Sequence, residues 1–384
     1  MKKAALLIIL STVITCFACS DNKNISSPYK GSCSTFLLKN GSDLIAGHNL
    51  DDSYQVSGAV IINKRNVFKK GITWKELSTS EKETSPKPEW ISKWGSVSFN
   101  TRGRDFADGG MNEKGLIIWE MSLRGTKFIQ DESKPKLFMM QWMQYQLDNH
   151  ESVEQVIKSA SDIVLDGWQW HFFTADRDGN SATIEFINGK IVIHAGDDMP
   201  VKVLCNALYS YELKTLGRYE GFGGKRPVAM EKRKEPRFLH AAKMIKDYDP
   251  TVSGNIINYG FDILDQLDSS GYNQWQIIVD MKNLHVYIRT NQSREIRHFS
   301  LNAFELSCDN PVKMIDIHAD LSGNITNDFV DYTFELNKKF VKMDIEGIIK
   351  NSPGFEKQLI SNGITKDILI DRLARYSENT VCKK

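Results

Sequence analysis

Two apolar runs, Cys33 to Lys39 and Leu44 to Leu50, flank the turn residues Asn40, Gly41 and Ser42, a pattern that predicts a β-hairpin. With Asn40 and Gly41 as the loop, Lys39 faces Ser42 and Cys33 falls opposite His48; a loop two or three residues longer brings Leu50 or Asp51 there instead. Either register returns the polar end of the second strand to Cys33. Phe36, Leu37 and Leu38 are consecutive, so both faces of the first strand are expected to be covered. Further strands are predicted near Gly95 to Asn100 and over Leu116 to Met121, with hairpins over Ala182 to Ala195, turning at Asn188-Gly189, and over Trp275 to Thr290, turning near Lys282-Asn283. Apolar residues at helical spacing (Leu137, Met140, Met143, Leu147) mark Lys136 to His150, and further helices are read over Val153 to Ser159, Arg237 to Asp247 and Gly254 to Leu267. Strands at both ends with helices between them predict α+β layers rather than a doubly wound parallel sheet. Residues 62 to 95, rich in Lys, Glu, Ser and Pro, read as a long surface excursion of the kind that borders pockets. The tail from Cys308 is read as a strand at Tyr332 to Leu336 followed by helical pattern from Asp344.

Composition narrows the partners. The 384 residues are 41% hydrophobic and 25% charged, with 49 basic against 48 acidic side chains. A net charge of +1 gives no field for nucleic acid or an anionic membrane, so a small molecule is the expected partner. Lys2 and Lys3 ahead of the apolar run Ala4 to Ala18 form an export leader, too short for a comfortable membrane span. Its end, Cys16-Phe17-Ala18-Cys19, resembles a bacterial lipobox with Cys19 as the lipidated residue. The expected organisation is an export signal over 1–19, a tether or propeptide over 20–32 and one catalytic domain over 33–384. The protein is then periplasmic or associated with the outer membrane, touching a membrane only through that anchor, and a homo-oligomer is an open option.

Six cysteines occur, two of them in the leader. Cys33, Cys205, Cys308 and Cys382 are scattered, with no spacing for a metal, so neither metal nor cofactor is expected; one Cys308–Cys382 disulfide is allowed. No P-loop, GxGxxG, HExxH or GxSxG is present. Asp176-Arg177-Asp178-Gly179-Asn180 mimics the start of a calcium loop, but Ile187 occupies the twelfth position, and the run is read as a β-turn.

Cys33-Ser34-Thr35-Phe36, Gly47-His48-Asn49-Leu50-Asp51, Gly109-Gly110-Met111-Asn112-Glu113-Lys114-Gly115-Leu116, Val203-Leu204-Cys205-Asn206 and Pro236-Arg237-Phe238 follow one another in this order. Together they resemble the choloylglycine hydrolase family, the linear amide C-N hydrolases that include bile salt hydrolases and penicillin V acylases, most clearly over residues 33–290. The resemblance implies a four-layer αββα sandwich of the N-terminal-nucleophile hydrolase type. It implies that Cys33, exposed as a new N-terminus by a cut after Ser32, attacks an N-acyl amide and forms a thioester. An α-amine titrates near pH 8 and a thiol at about 8.5, so such a residue carries its own proton acceptor. Asn112 and Asn206 resemble the residues that support the oxyanion or fix the N-terminus, Asp51 the carboxylate that orients the new amine, and Arg237 a cation that holds the thiolate. Bile salt hydrolases carry Arg at the position of His48, which places His48 near the site without assigning its role. Two alternatives stand: an acyltransferase of the isopenicillin N type, and a lipid-anchored binding protein that has lost catalysis on the same fold.

Overall fold

The computed structural model describes residues 33–232, 234–268 and 271–383; the expected leader, Cys19 and the tether lie outside them. Two large sheets face each other. The first runs in spatial order Val203–Leu204, Ser34–Asn40, Asp43–Asp51, Asn273–Asp280, His285–Thr290, Arg297–Ser300, Gly323–Asn324. The second runs Lys190–Ala195, Ser181–Ile187, Trp170–Ala175, Ile117–Ser122, Gly109–Asn112, Ser96–Asn100, Ala59–Asn63, Lys313–Asp316, Val330–Asp331. The helices Arg237–Asp247 and Ile256–Leu267 cover the first sheet, and Met139–Asn149 with Val153–Ser159 cover the second. This is the expected four-layer order.

Strand alternation explains the layering. Thr35 and His48 pair across the hairpin and face the second sheet, where Thr35 meets Met121 and His48 meets Trp119. Phe36, Gly47 and Ile278 face the other way, under the Ile256–Leu267 helix. A Cβ on Gly47 would lie 2.2 Å from the Phe36 ring, so only glycine fits there. Val97, Phe99, Met111 and Trp119 fill the space between the sheets, whereas Ile118, Phe172 and Ile184 pack under the outer helices.

The first hairpin settles its own register. Asn40 pairs with Asp43 across Gly41 and Ser42, with Gly41 at φ +57°. The turn is thus two residues long but displaced by one from Asn40-Gly41. Ser34 pairs with Asn49, and Cys33 follows opposite Leu50, the partner expected of a longer loop but reached here by displacing a two-residue one. The hairpin at Asn188-Gly189 forms as predicted, both turn residues having positive φ (52° and 74°). Asp176 caps its own turn, accepting from Asp178 N and Asn180 N at 3.1 Å, the β-turn expected of that run.

Two expectations fail. Residues 62–95 are not one surface excursion: they contain the strands Val67–Lys70 and Glu89–Ile91 and the helix Trp74–Ser78, the last closed by a Thr73–Glu76 capping box. Their charge-rich composition conceals a buried ion triad, Lys69 Nζ lying 2.7 Å from Asp105 and 2.8 Å from Asp148. Tyr332 to Leu336 is not a strand. Thr333 caps a helix over Phe334–Asn351 by accepting from Leu336 N, and Phe340, Val341 and Ile345 give it an apolar face. This helix, with Lys366–Arg375, extends the outer layer of the second sheet. Cys308 and Cys382 are disulfide-bonded, and Val381–Cys382 pairs with Val67–Lys70. A cross-link closing 74 residues contributes about 4 kcal/mol on the loop-entropy estimate.

Candidate active site

Three strand ends converge on Cys33. Thr35 pairs with Leu204, and two more residues of the same antiparallel register set Asn206 opposite Cys33 on one side while Leu50 and Asp51 arrive on the other. Beside Asp51 the register of Asn273–Asp280 slips between Asn273 and Trp275. That irregularity aims the Asn273 amide at the carboxylate, 3.0 Å from Asp51 Oδ1.

Arg237, the first residue of its helix, gathers these ends. Its guanidinium donates to Asn206 Oδ1 (2.8 Å), the Cys33 carbonyl (3.2 Å) and the Leu267 carbonyl (3.4 Å), and stands 3.9 Å from Asp51 Oδ2. The guanidinium thus holds the backbone of Cys33 directly. Asn206 donates to the Ser122 carbonyl at 2.8 Å, which leaves its second amide hydrogen for a substrate oxygen. Behind it, the buried His171 contacts Glu185 (3.2 Å) and the Cys205 carbonyl (2.7 Å), fixing the peptide that carries Asn206.

Cys33 is 6% exposed. Its Sγ lies 3.9 Å from Glu120 Oε1 and 4.0 Å from the Asp51 carbonyl. Burial, then Glu120, then Asp51 push the thiol well above its ordinary range. Glu120 is itself raised strongly, by burial and then by Asp108 and Asp52, and its Oε2 has no hydrogen-bond partner among the described residues. Burial and Glu120 thus both disfavour the thiolate. Glu120→Gln is expected to shift the pH profile of Cys33 alkylation to lower pH, because an acceptor of negative charge beside the sulfur is removed; an unchanged iodoacetamide profile would show that the two groups are not coupled.

His48 lies under the site as a packing group. It is fully buried, stacked on Trp119 at 4.4 Å and 8°, and its Nδ1 is 2.8 Å from Thr35 Oγ1. Burial lowers its pKa to about 3, so the imidazole is neutral and supplies no cation.

Asn112 does not join the cluster. Its amide donates to the carbonyls of Leu147 (2.9 Å) and His150 (2.7 Å), and its oxygen accepts from Lys114 N (3.0 Å) and Leu116 N (3.1 Å). All four contacts lock a turn and the end of the Met139–Asn149 helix, so the oxyanion role read for it is corrected to a structural one. Its neighbours serve the same end: a Cβ on Gly109 would lie 2.0 Å from the Trp119 ring, and Gly115 takes φ +82°. The block thus holds the strand that carries Trp119, stacked on His48, and Glu120, 3.9 Å from Cys33 Sγ. Asn112→Ala is expected to cost about 2–3 kcal/mol through orphaned buried groups, seen as a lower Tm with kcat per folded molecule nearly unchanged.

A cavity of about 580 Å³ opens beside these residues, lined by Asp52, Ser122, Arg102, Arg124, Trp168 and Trp170 among others. Asp52 follows Asp51 in the chain, and the carbonyl of Ser122 accepts from Asn206 Nδ2, so the cavity adjoins the cluster around Cys33 at two lining residues. Its volume suits a drug-sized organic molecule. Among the described residues, no group of three or more His, Cys, Asp or Glu could hold a metal ion, and no helix is long and apolar enough to cross a membrane.

Facing sheets between helical layers, with a cysteine at the head of a central strand, place the chain in the αββα fold of the N-terminal-nucleophile hydrolase type. The sequence pattern of the "linear amide C-N hydrolases, choloylglycine hydrolase family" matches residues 33–244, more than half of the chain. The chain belongs to this family. It is 27% identical over 252 residues to a penicillin V acylase of Pectobacterium atrosepticum, a match over 54% of this chain and 66%, just under two thirds, of that relative. The penicillin V acylase structure from Agrobacterium tumefaciens superposes with a TM-score of 0.66 at 21% identity, over 78% of this chain and 98% of its own. A mutant of the conjugated bile acid hydrolase from Clostridium perfringens gives 0.58 at 18% identity, over 74% of this chain and 96% of its own.

Proposed function

We propose that the protein is an exported amidohydrolase that cleaves the linear C–N amide bond of an N-acyl compound through a thioester on Cys33. The observation that carries this reading is the convergence of Asp51, Asn206 and Arg237 on Cys33 at the head of its strand. Burial and the Glu120 carboxyl disfavour the thiolate, so the thiol passes its proton to a nearby base as it attacks. The α-amine of Cys33, freed by a cut after Ser32, is that base.

The reaction then balances within one residue. The thiol proton passes to the amine while sulfur adds to the substrate carbonyl, and the oxyanion is met by the free hydrogen of the Asn206 amide. Collapse breaks the C–N bond, the ammonium returns its proton to the leaving nitrogen, and the thioester remains. Water adds to the thioester with its proton going to the amine, and the carboxylic acid and the thiol are released. Asp51 steadies the ammonium form. Cys19 carries the lipid until the cut after Ser32 frees the enzyme.

Intact mass of the protein purified from an exporting host tests the reading, paired with hydrolysis of penicillin V and a glycine-conjugated bile acid. The expected mass is that of residues 33–384, with amide cleavage of at least one N-acyl compound. Full activity in protein that still carries residues 20–32 would end the proposal.

A further inference from the structure

The cavity lined by Asp52 and Ser122 has a wall that the family pattern does not reach. Ile348 and Asn351 of the Phe334–Asn351 helix and Phe355 of Pro353–Ser361 close it opposite Trp168 and Trp170, well beyond the end of the family match at 244. The wall is fastened to the loop that leaves Asp51. Asp344, fully buried, accepts from Tyr54 Oη at 3.0 Å and pairs with Arg102, and Arg102 in turn lies over the Trp168 ring at 5.5 Å. Asn351 Nδ2 donates to Ser53 Oγ at 2.8 Å. Gly347 lets the helix lie directly on Tyr54, since a Cβ there would stand 2.9 Å from the ring. The helix is therefore placed by contacts to residues 53, 54 and 102, all of which line the cavity themselves.

Trp168, Trp170, Ile348 and Phe355 give the lining apolar, mostly aromatic surface, each partly exposed, beside the charged side chains of Asp52, Arg102 and Arg124. Arg102 is paired with Asp344, and the four apolar side chains are the surface an apolar acyl group would meet. We propose that the C-terminal helices, outside the family pattern, set the acyl-group preference of this enzyme through Ile348 and Phe355, which line the cavity together with Trp168 and Trp170. The inference rests on the hydrolase reading and adds two specificity-determining residues to it.

The test compares kcat/KM for two amides of one amine, N-phenylacetyl and N-acetyl, in the full chain carrying Ile348→Ala, Phe355→Ala or Phe355→Trp. The ratio of phenylacetyl to acetyl is expected to fall about tenfold in each alanine variant, through KM, the scale of a lost apolar pocket contact. Phe355→Trp narrows the cavity without removing core volume and is expected to lower the ratio as well. A ratio unchanged in the folded variants, as judged by Tm, would overturn this assignment. If neither amide nor any other linear amide is cleaved by the unmodified protein, it is the hydrolase reading that fails, and the two failures are thereby distinguished.

Discussion

Cys33→Ala protein is expected to lose amide hydrolysis by a factor on the order of 10⁵ or more, the size of effect seen when a nucleophile is removed, and to keep the residues ahead of position 33. Both losses follow from one atom. In the proposed mechanism one sulfur attacks both the substrate and the carbonyl of Ser32, so a single substitution is expected to stop turnover and processing together. Among the described residues the other free thiol is Cys205, 2% exposed and just past the end of a strand rather than at the head of one, while Cys308 and Cys382 are bonded to each other. The measurement is intact mass with a progress curve on the same sample, and Cys205→Ala serves as the control that should retain both. Unaltered hydrolysis in Cys33→Ala would favour a different nucleophile, and processing without Cys33 would favour an external protease. Silence of both proteins on every amide would leave the anchored binding protein as the better account.

The parts of this site that the sequence makes legible are those carried by strand ends and a helix start. Cys33, Asp51 and Asn206 each close a short apolar run, and the registers Ser34 to Asn49 and Thr35 to Leu204 bring those ends together. Arg237 is found through the resemblance of Pro236-Arg237-Phe238 to the family, and it does begin a helix. Asn112 misleads because its motif is distinctive while the reason for it is local: an amide that fits a turn and a helix end cannot be told in one dimension from one that fits an oxyanion. Glu120 does leave a signal, a carboxylate inside the predicted buried strand Leu116 to Met121, where a lone charge needs an explanation. Asn273 leaves none, since its aim depends on a slipped register between strands more than two hundred residues apart. The helix at Phe334–Asn351 is missed for a related reason, because Tyr332, Phe334 and Leu336 alternate like a strand and only the Thr333 cap and the later apolar positions reverse that reading.

Arg237→Met is expected to lower kcat by about 10²–10³-fold, the loss that follows when an oxyanion donor is no longer held in place, with a smaller effect on KM. The methionine keeps the bulk of the side chain and deletes the fork that ties Asn206 Oδ1, the Cys33 carbonyl and Asp51 into one unit. Without the guanidinium, the Asn206 amide retains its donation to the Ser122 carbonyl but can turn about that single bond, so its second hydrogen no longer points at a fixed place. Asp51, whose side chain is fully buried, loses an opposing charge at the same time, and stability is expected to fall by about 1–3 kcal/mol, less than for a wholly buried pair because the arginine is partly open to solvent. Lysine discriminates between charge and shape. A point charge at the same position can serve Asp51 but cannot bridge three acceptors in one plane. Arg237→Lys should therefore regain most of the lost Tm while kcat stays depressed by at least about tenfold, on the scale of one misplaced donor. Equal recovery of both would mean that charge alone is what the site asks of residue 237, and that the geometry joining it to Asn206 and Cys33 is incidental to the chemistry.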